Sequence, residues 1–205
     1  MKRINNTEFF RKAIHISSLL IPMLFKYLFH YNRKNTFLIL LPLTIIFILF
    51  DTFRIEHRTF KKFYQGLFGI ILRKHELSDF TGAVYVMVSA VLCIALFPGN
   101  IAFMSLSFLA IGDTFAALVG IRLGRRKLPG QKKSVEGSIA CFLGTFIFGV
   151  VYYKFDYQLG LSLAAILLGA GSATLAEAWR IRFDDNFKIP LISGFVMYLA
   201  SIIFI

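Results

Sequence analysis

The sequence predicts an all-α membrane protein, a bundle of about seven transmembrane helices with its N-terminus in the cytoplasm and its C-terminus outside. Hydrophobic residues make up 57% of the 205 and charged residues only 17%, where a soluble domain carries about 25%. The apolar majority is gathered into seven segments, each close to the roughly 20 residues that cross hydrocarbon as a helix. Basic residues fall almost entirely in alternate connections between those segments. This composition excludes a disordered chain and a disulfide-stapled secreted scaffold. The net charge of +12 is divided among several connections, which excludes a nucleic-acid binder and marks the cytoplasmic side instead.

In chain order the segments are 13–31, 36–53, 80–97, 101–121, 135–153, 159–179 and 189–205, the second and seventh being the shortest. The first contains His15 and Lys26 and is followed by no small-residue cleavage site, so it reads as a retained helix rather than a signal peptide. Residues 54–75 place Phe60, Phe63, Tyr64, Leu67 and Ile71 at helical spacing, with Arg58, Lys61 and Lys62 on other faces. That pattern predicts an interfacial helix on anionic headgroups, or a doorway for a lipid. Cys93 and Cys141 lie inside spans and read as small apolar packing residues. Seven spans of about 20 residues leave roughly 65 for all connections. We therefore expect one integral-membrane catalytic domain over 1–205, with its site built from helix ends and short loops.

Orientation follows from the cations. Lys2, Arg3, Arg11 and Lys12 precede the first span; Arg54, Arg58, Lys61, Lys62, Arg73 and Lys74 follow the second. Arg122, Arg125, Arg126, Lys127, Lys132 and Lys133 follow the fourth, and Arg180, Arg182 and Lys188 follow the sixth. These nineteen face one side, against Arg33, Lys34 and Lys154 on the other, and such asymmetry marks the cytoplasmic side.

The eleven acidic residues then become informative. Asp113 falls inside the fourth span, about 13 Å from its cytoplasmic end if helical. A carboxylate there costs about 3 kcal/mol on insertion scales, so it marks a functional position or the partner of a buried cation. Ala116, Ala117, Gly120 and Gly124 share its helix face, which suits either close helix packing or close approach of a ligand. Six cations occupy 122–134, directly before a helix for which Ser134 is a plausible N-cap. Basic side chains beside free helical N–H groups make a phosphate site; taken alone, the run also suits a positive-inside loop. With Asp113 and Glu136 alongside, a divalent cation, Mg²⁺ in the first instance, is expected. Glu177 sits at a helix C-terminus, where the dipole disfavours an anion. Asp184, Asp185 and Asn186 precede Pro190 and suit a helix cap or a site. Arg11, Lys12 and His15 open the first span, Arg11 and His15 one turn apart. Neither a Walker P-loop nor a soluble protein-kinase motif set occurs.

The stretch Asp113-x-x-Ala116-x-x-x-Gly120-x-x-x-Gly124, followed by Pro129-Gly130-x-Lys132-Lys133-Ser134-x-Glu136-Gly137, closely resembles the cytidine-nucleotide motif of dolichol kinase. The wider family includes CTP-dependent diacylglycerol kinase, phytol kinase and farnesol kinase. Arg11-Lys12-x-x-His15 and Glu177…Asp185-Asn186…Pro190 also resemble elements of that family. Ser134 stands where dolichol kinases often carry Thr.

The resemblance implies transfer of the γ-phosphoryl group of CTP to a lipid alcohol, of polyprenol, diacylglycerol or phytol type, at the cytoplasmic face of a membrane. In a prokaryotic cell that is the plasma membrane. It implies nucleotide binding by Gly120, Gly124, Lys132, Lys133, Ser134, Glu136 and Gly137, and metal binding by Asp113, Glu136 and Asp185. Asp113 or His15 would take the alcohol proton, with Lys133 on the phosphates. Arg11, Lys12, Glu177 and Asn186 complete the candidate set. Lys127 lies outside the motif and is expected to matter little. Removing the Asp113 charge is expected to leave the fold intact. A cytidylyltransferase making a CDP-lipid is the alternative, although its usual paired Gly, Asp and Arg signature is not seen. A transporter or scramblase would need polar residues reaching the other face, and an internal repeat is not evident.

Overall fold

A computed structural model describes residues 6–69, 72, 75–156, 159–181 and 183–204. Lys2, Arg3, Ile71, Arg73, Lys74, Arg182 and Ile205 lie outside the described residues. The described chain is helical: α1 (Asn6–Ser17), α2 (Leu20–Met23), a π-helical turn (Leu24–Leu28), α3 (Arg33–Glu56), α4 (Arg58–Phe68), α5 (Gly82–Leu96), α6 (Gly99–Arg122), α7 (Val135–Phe155), α8 (Leu163–Ala178) and α9 (Asp185–Ile203). Four of these, α3, α6, α7 and α9, are long and apolar enough to cross a membrane. The apolar helices α5 and α8 are shorter, at 15 and 16 residues.

The first hydrophobic segment is not one helix. Ser17 and Ser18 turn their hydroxyls back onto the carbonyls of Ile14 and His15, each at 2.6 Å, competing with the helical ladder as short hydroxyl side chains do. Pro22 follows within α2 and removes another donor. The segment closes through His30 and Tyr31 in left-handed conformation, with φ of 47° and 59°. By contrast α3 runs past the expected 36–53 to 24 residues, started by the Asn32 side chain accepting from the Asn35 amide at 3.0 Å.

Helix α6 is the centre of the bundle. Every residue from Ile101 to Thr114 is buried, and α6 packs against α1, α2, α5, α7, α8 and α9. Helix α3 is the opposite case: Leu38, Ile39, Leu43, Ile46 and Leu49 are exposed, an apolar surface larger than soluble proteins tolerate. Helix α4 lies against α3 through Phe60 on Phe50 and Phe53, at ring centroid distances of 5.3 and 5.2 Å. It leaves Phe63, Leu67 and Phe68 exposed, as an interfacial helix does. Cys93 and Cys141 are buried and unbridged, as packing residues.

Two buried charge clusters were not visible in the sequence. Lys26, on the π-helical turn, pairs with Asp156 at the end of α7, and its ammonium lies 5.1–5.4 Å from the ring centres of Tyr27, Tyr31, Phe103 and Tyr152. This aromatic surround supplies the cation–π attraction that a desolvated ammonium needs. Arg54, counted above among the cytoplasmic cations, is fully buried. It donates to Asp51 at 2.9 Å and to the carbonyls of Glu76 and Asp79, each at 2.8 Å.

Candidate active site

The C-terminal third of α6, the loop that follows it and the head of α7 fold back on one another. A Cβ on Gly137 would lie 2.8 Å from the Ala116 carbonyl, and one on Gly124 would lie 2.5 Å from the Ser134 hydroxyl. Only small residues permit that approach. The close packing foreseen for the small-residue face is present, and the same face borders a cavity. Gly120 touches α7 while Ala116, Ala117, Gly120 and Gly124 also line a cavity of about 940 Å³.

The loop is pinned at several points. Glu136 accepts from the backbone N–H groups of Arg125 and Arg126 at 3.2 Å. Lys127 and Ser134 form an antiparallel bridge. The Gln131 N–H donates to the Leu128 carbonyl at 3.1 Å around Pro129 and Gly130, with Gly130 at φ 66°, a type II turn with Pro and Gly in their favoured places. The Gln131 side chain donates to the Ala178 carbonyl at 3.1 Å, and Lys133 donates to that of Glu177. Both acceptors are last-turn carbonyls of α8, which have no intrahelical partner. Ser134 caps α7 as expected, accepting from the Gly137 N–H at 3.2 Å.

Asp185, in the first turn of α9, holds Lys133 at 2.9 and 3.1 Å and Lys188 at 2.8 Å. Glu177 Oε1 lies 3.3 Å from the Lys133 ammonium, and its buried Oε2 has no hydrogen-bond partner among the described residues. Burial alone would lower the Lys133 pKa, but Asp185 and Glu177 outweigh it and hold it above the ordinary lysine value. On the opposite wall, Asp113 Oδ2 meets Lys12 at 2.5 Å and His15 Nε2 at 3.2 Å, both from α1. Lys12 also donates to the Asp113 carbonyl at 3.3 Å.

Of the expected residues, Arg11, Lys12, Asp113, Gly120, Gly124, Lys132, Lys133, Ser134, Gly137, Glu177 and Asp185 all line this one cavity. Three do not. His15 stands behind Asp113, Glu136 is taken up by the loop amides, and Asn186 donates its side-chain amide to the Gly82 carbonyl at 3.2 Å. Asp113, Glu136 and Asp185 are not gathered into one metal cluster, and no group of three such ligands occurs among the described residues. Arg122, Arg125 and Lys127 also line the wall. Lys127, expected to matter little, lies on that wall too, its ammonium donating to the Lys132 carbonyl at 3.0 Å. Seven cationic side chains face the cavity against three carboxylates, a balance that selects an anionic occupant.

Residues 1–201 match the model of the cytidylyltransferase family. An uncharacterized protein of Rickettsia prowazekii is 32% identical over 88% of each chain. CTP-dependent diacylglycerol kinase 1 of Saccharomyces cerevisiae is 27% identical over 95% of this chain and 73% of its own. A probable chloroplastic phytol kinase of Triticum aestivum is 32% identical over 58% of this chain and 43% of its own. No solved structure matches. The match along nearly the whole length shows that the chain belongs to the cytidylyltransferase family, alongside relatives named as CTP-dependent lipid kinases.

Proposed function

We propose that this cavity transfers the γ-phosphoryl group of CTP to the hydroxyl of a membrane lipid alcohol, of diacylglycerol, phytol or polyprenol type. The observation that carries the reading is the cavity itself. It is of nucleotide size, rich in cations and walled by the motif residues of five helices and one loop. Phosphoryl transfer asks mainly for positioning and charge neutralisation. Lys132, Arg122 and Arg125 lie where they can bind the phosphate chain, and Lys133, steered by Asp185 and Glu177, meets the phosphoryl in flight. Asp113 is the carboxylate on the wall beside α1, and it takes the hydroxyl proton as the alcohol oxygen bonds to phosphorus and CDP departs. Lys12 and His15 orient it.

The donor set fits a divalent cation. Mg²⁺ takes one or two protein carboxylates and completes its shell with phosphate oxygens and water. Asp113 and Glu177, whose buried Oε2 has no hydrogen-bond partner among the described residues, would hold it. When bound it neutralises charge on the phosphates. We place the cavity at the cytoplasmic face of a seven-span bundle, with the N-terminus inside and the C-terminus outside, as the cation asymmetry supports.

The family description also favours a second reading, formation of a CDP-lipid. Purified protein given lipid alcohols or, in a parallel arm, the corresponding lipid phosphates as acceptors, with CTP labelled at the α or the γ position, separates the two. Kinase action puts γ-label on the lipid and leaves α-label in CDP. Cytidylyl transfer puts α-label on the lipid and releases pyrophosphate. No labelled lipid in either arm sinks both. Equal turnover with ATP would remove the cytidine preference and leave the lipid kinase.

A further inference from the structure

We infer that Asn186 is a positioning residue: by donating its side-chain amide to the Gly82 carbonyl at the head of α5, it fixes the first turn of α9 so that Asp185 meets Lys133 in the cavity. The inference rests on the role given to Lys133 above. Asn186 is 6% exposed and does not line the cavity, so it is not built to touch substrate. It is held at both ends: its backbone N–H donates to the Asp184 carboxylate at 2.8 Å and its side chain to Gly82 at 3.2 Å.

Gly82 is itself a fixed point. Its N–H donates to Glu76 Oε1 at 2.9 Å. The preceding Thr81 donates its N–H and its hydroxyl to Asp51 at 2.7 and 2.8 Å. Asp51 is gripped in turn by the fully buried Arg54, which also holds the carbonyls of Glu76 and Asp79. Every bond in this knot is made by backbone or by a buried planar group. Lys133 and Lys188, the partners of Asp185, also donate to the carbonyls of Glu177 and Trp179, but they reach Asp185 on long four-carbon stems that can follow a shift of its backbone. The short, planar connection through Asn186 ties that backbone directly to the head of α5.

The contact can be broken from either side. Asn186→Ala deletes the donor. Gly82→Ala builds a Cβ 2.9 Å from the Asn186 amide nitrogen and displaces it, while Ala is the better helix former and leaves α5 no weaker. The first readout needs no turnover: the rate at which an acylating reagent modifies Lys133 in purified, substrate-free protein, followed by mass spectrometry. Lys133 is 27% exposed and shielded by its carboxylates. Both variants should raise its modification rate several-fold, towards that of Asp185→Asn. In lipid phosphorylation, kcat should fall roughly ten- to a hundredfold, as misplacement by about an ångström does, with the KM for CTP little changed. Asn186→Ala combined with Asp185→Asn should be no slower than Asp185→Asn alone, because the two act on one contact.

Lys133 reactivity unchanged in both Asn186→Ala and Gly82→Ala overturns the inference, as does a double variant whose losses multiply. If no lipid is phosphorylated by the parent protein, the proposed function fails while the labelling rates still decide the positioning role.

Discussion

Asp113 carries two costs at once. Its carboxylate is buried on α6, and so is its partner Lys12, 4% exposed. Asp113→Asn should lower kcat by roughly a hundredfold or more, the scale of losing one preorganised electrostatic group. From the sequence, the fold is expected to stay intact without that charge. The pairing with Lys12 adds a cost to that expectation, because Lys12 would remain buried without its carboxylate, a loss of about 3–5 kcal/mol when one member of such a pair is removed. Melting in detergent should therefore show Asp113→Asn clearly less stable than the parent, and Lys12→Met/Asp113→Asn restored towards it while still inactive. Restored activity in the double variant would show the pair to be structural only. Asp113 was legible because a carboxylate in an apolar run is expensive. Lys12 as its partner was not, since four cations before a first span satisfy the orientation rule without any contact.

Lys133 sets a second expectation at this scale. Its pKa is raised above 10.5 in the folded protein, so the stability it contributes is complete below that ordinary value and is lost only as pH climbs through the raised one. Between pH 7 and 9 a profile of kcat should show no limb from this lysine. A basic limb within that window that disappears in Lys133→Arg would contradict its pairing with Asp185 and Glu177.

Among the elements, the helices around the site were the most legible. Ser134 announced a cap and the Gly and Ala spacing a close approach, while the Pro129-Gly130 turn was a signal left unread. The first segment was misjudged because hydropathy averages over residues whose hydrogen bonding matters more. Ser17, Ser18 and Pro22 were the available signal for a broken helix. What holds the broken pieces is the Lys26–Asp156 pair in its aromatic surround, which ties the π-helical turn to the end of α7. Lys26→Met alone removes the buried ammonium from beside Asp156 and should lower the melting temperature by several degrees, the effect of a few kcal/mol in a chain of this size. Lys26→Met/Asp156→Leu should recover most of the loss, since well-packed apolar replacements of buried pairs are often neutral. Failure to recover would mean that the ring surround depends on the cation itself. The Arg54 knot was hidden for a different reason: Asp51, Glu76 and Thr81 are separated along the chain and show no period.

For the whole molecule, the chemistry-bearing residues of α1, α6, α7, α8 and α9 meet at one end of the bundle, while Arg33, Lys26 and Asp156 lie at the other. Both native cysteines are buried, so single cysteines can report on sidedness in the otherwise unchanged protein. Arg126→Cys should label from the cytoplasmic side and Lys154→Cys from the outside. The reverse pattern would remove the nucleotide supply and with it the proposed reaction. The gathering of the site residues at one end was readable from the alternation of cations. The depth of burial of α6 was not, because every span is apolar and only packing distinguishes a central helix from a peripheral one.

The loop between α6 and α7 is already fastened by Glu136, by the Lys127–Ser134 bridge, by its Pro-Gly turn and by the carbonyls of α8. If the cavity takes a nucleotide as proposed, the ligand meets a finished cradle, and the entropy of ordering that segment is spent during folding rather than at encounter. The association step should then be governed by diffusion in the field of the cationic wall. Its rate constant should fall steeply as ionic strength rises and the Debye length shrinks, while dissociation of the bound nucleotide changes far less.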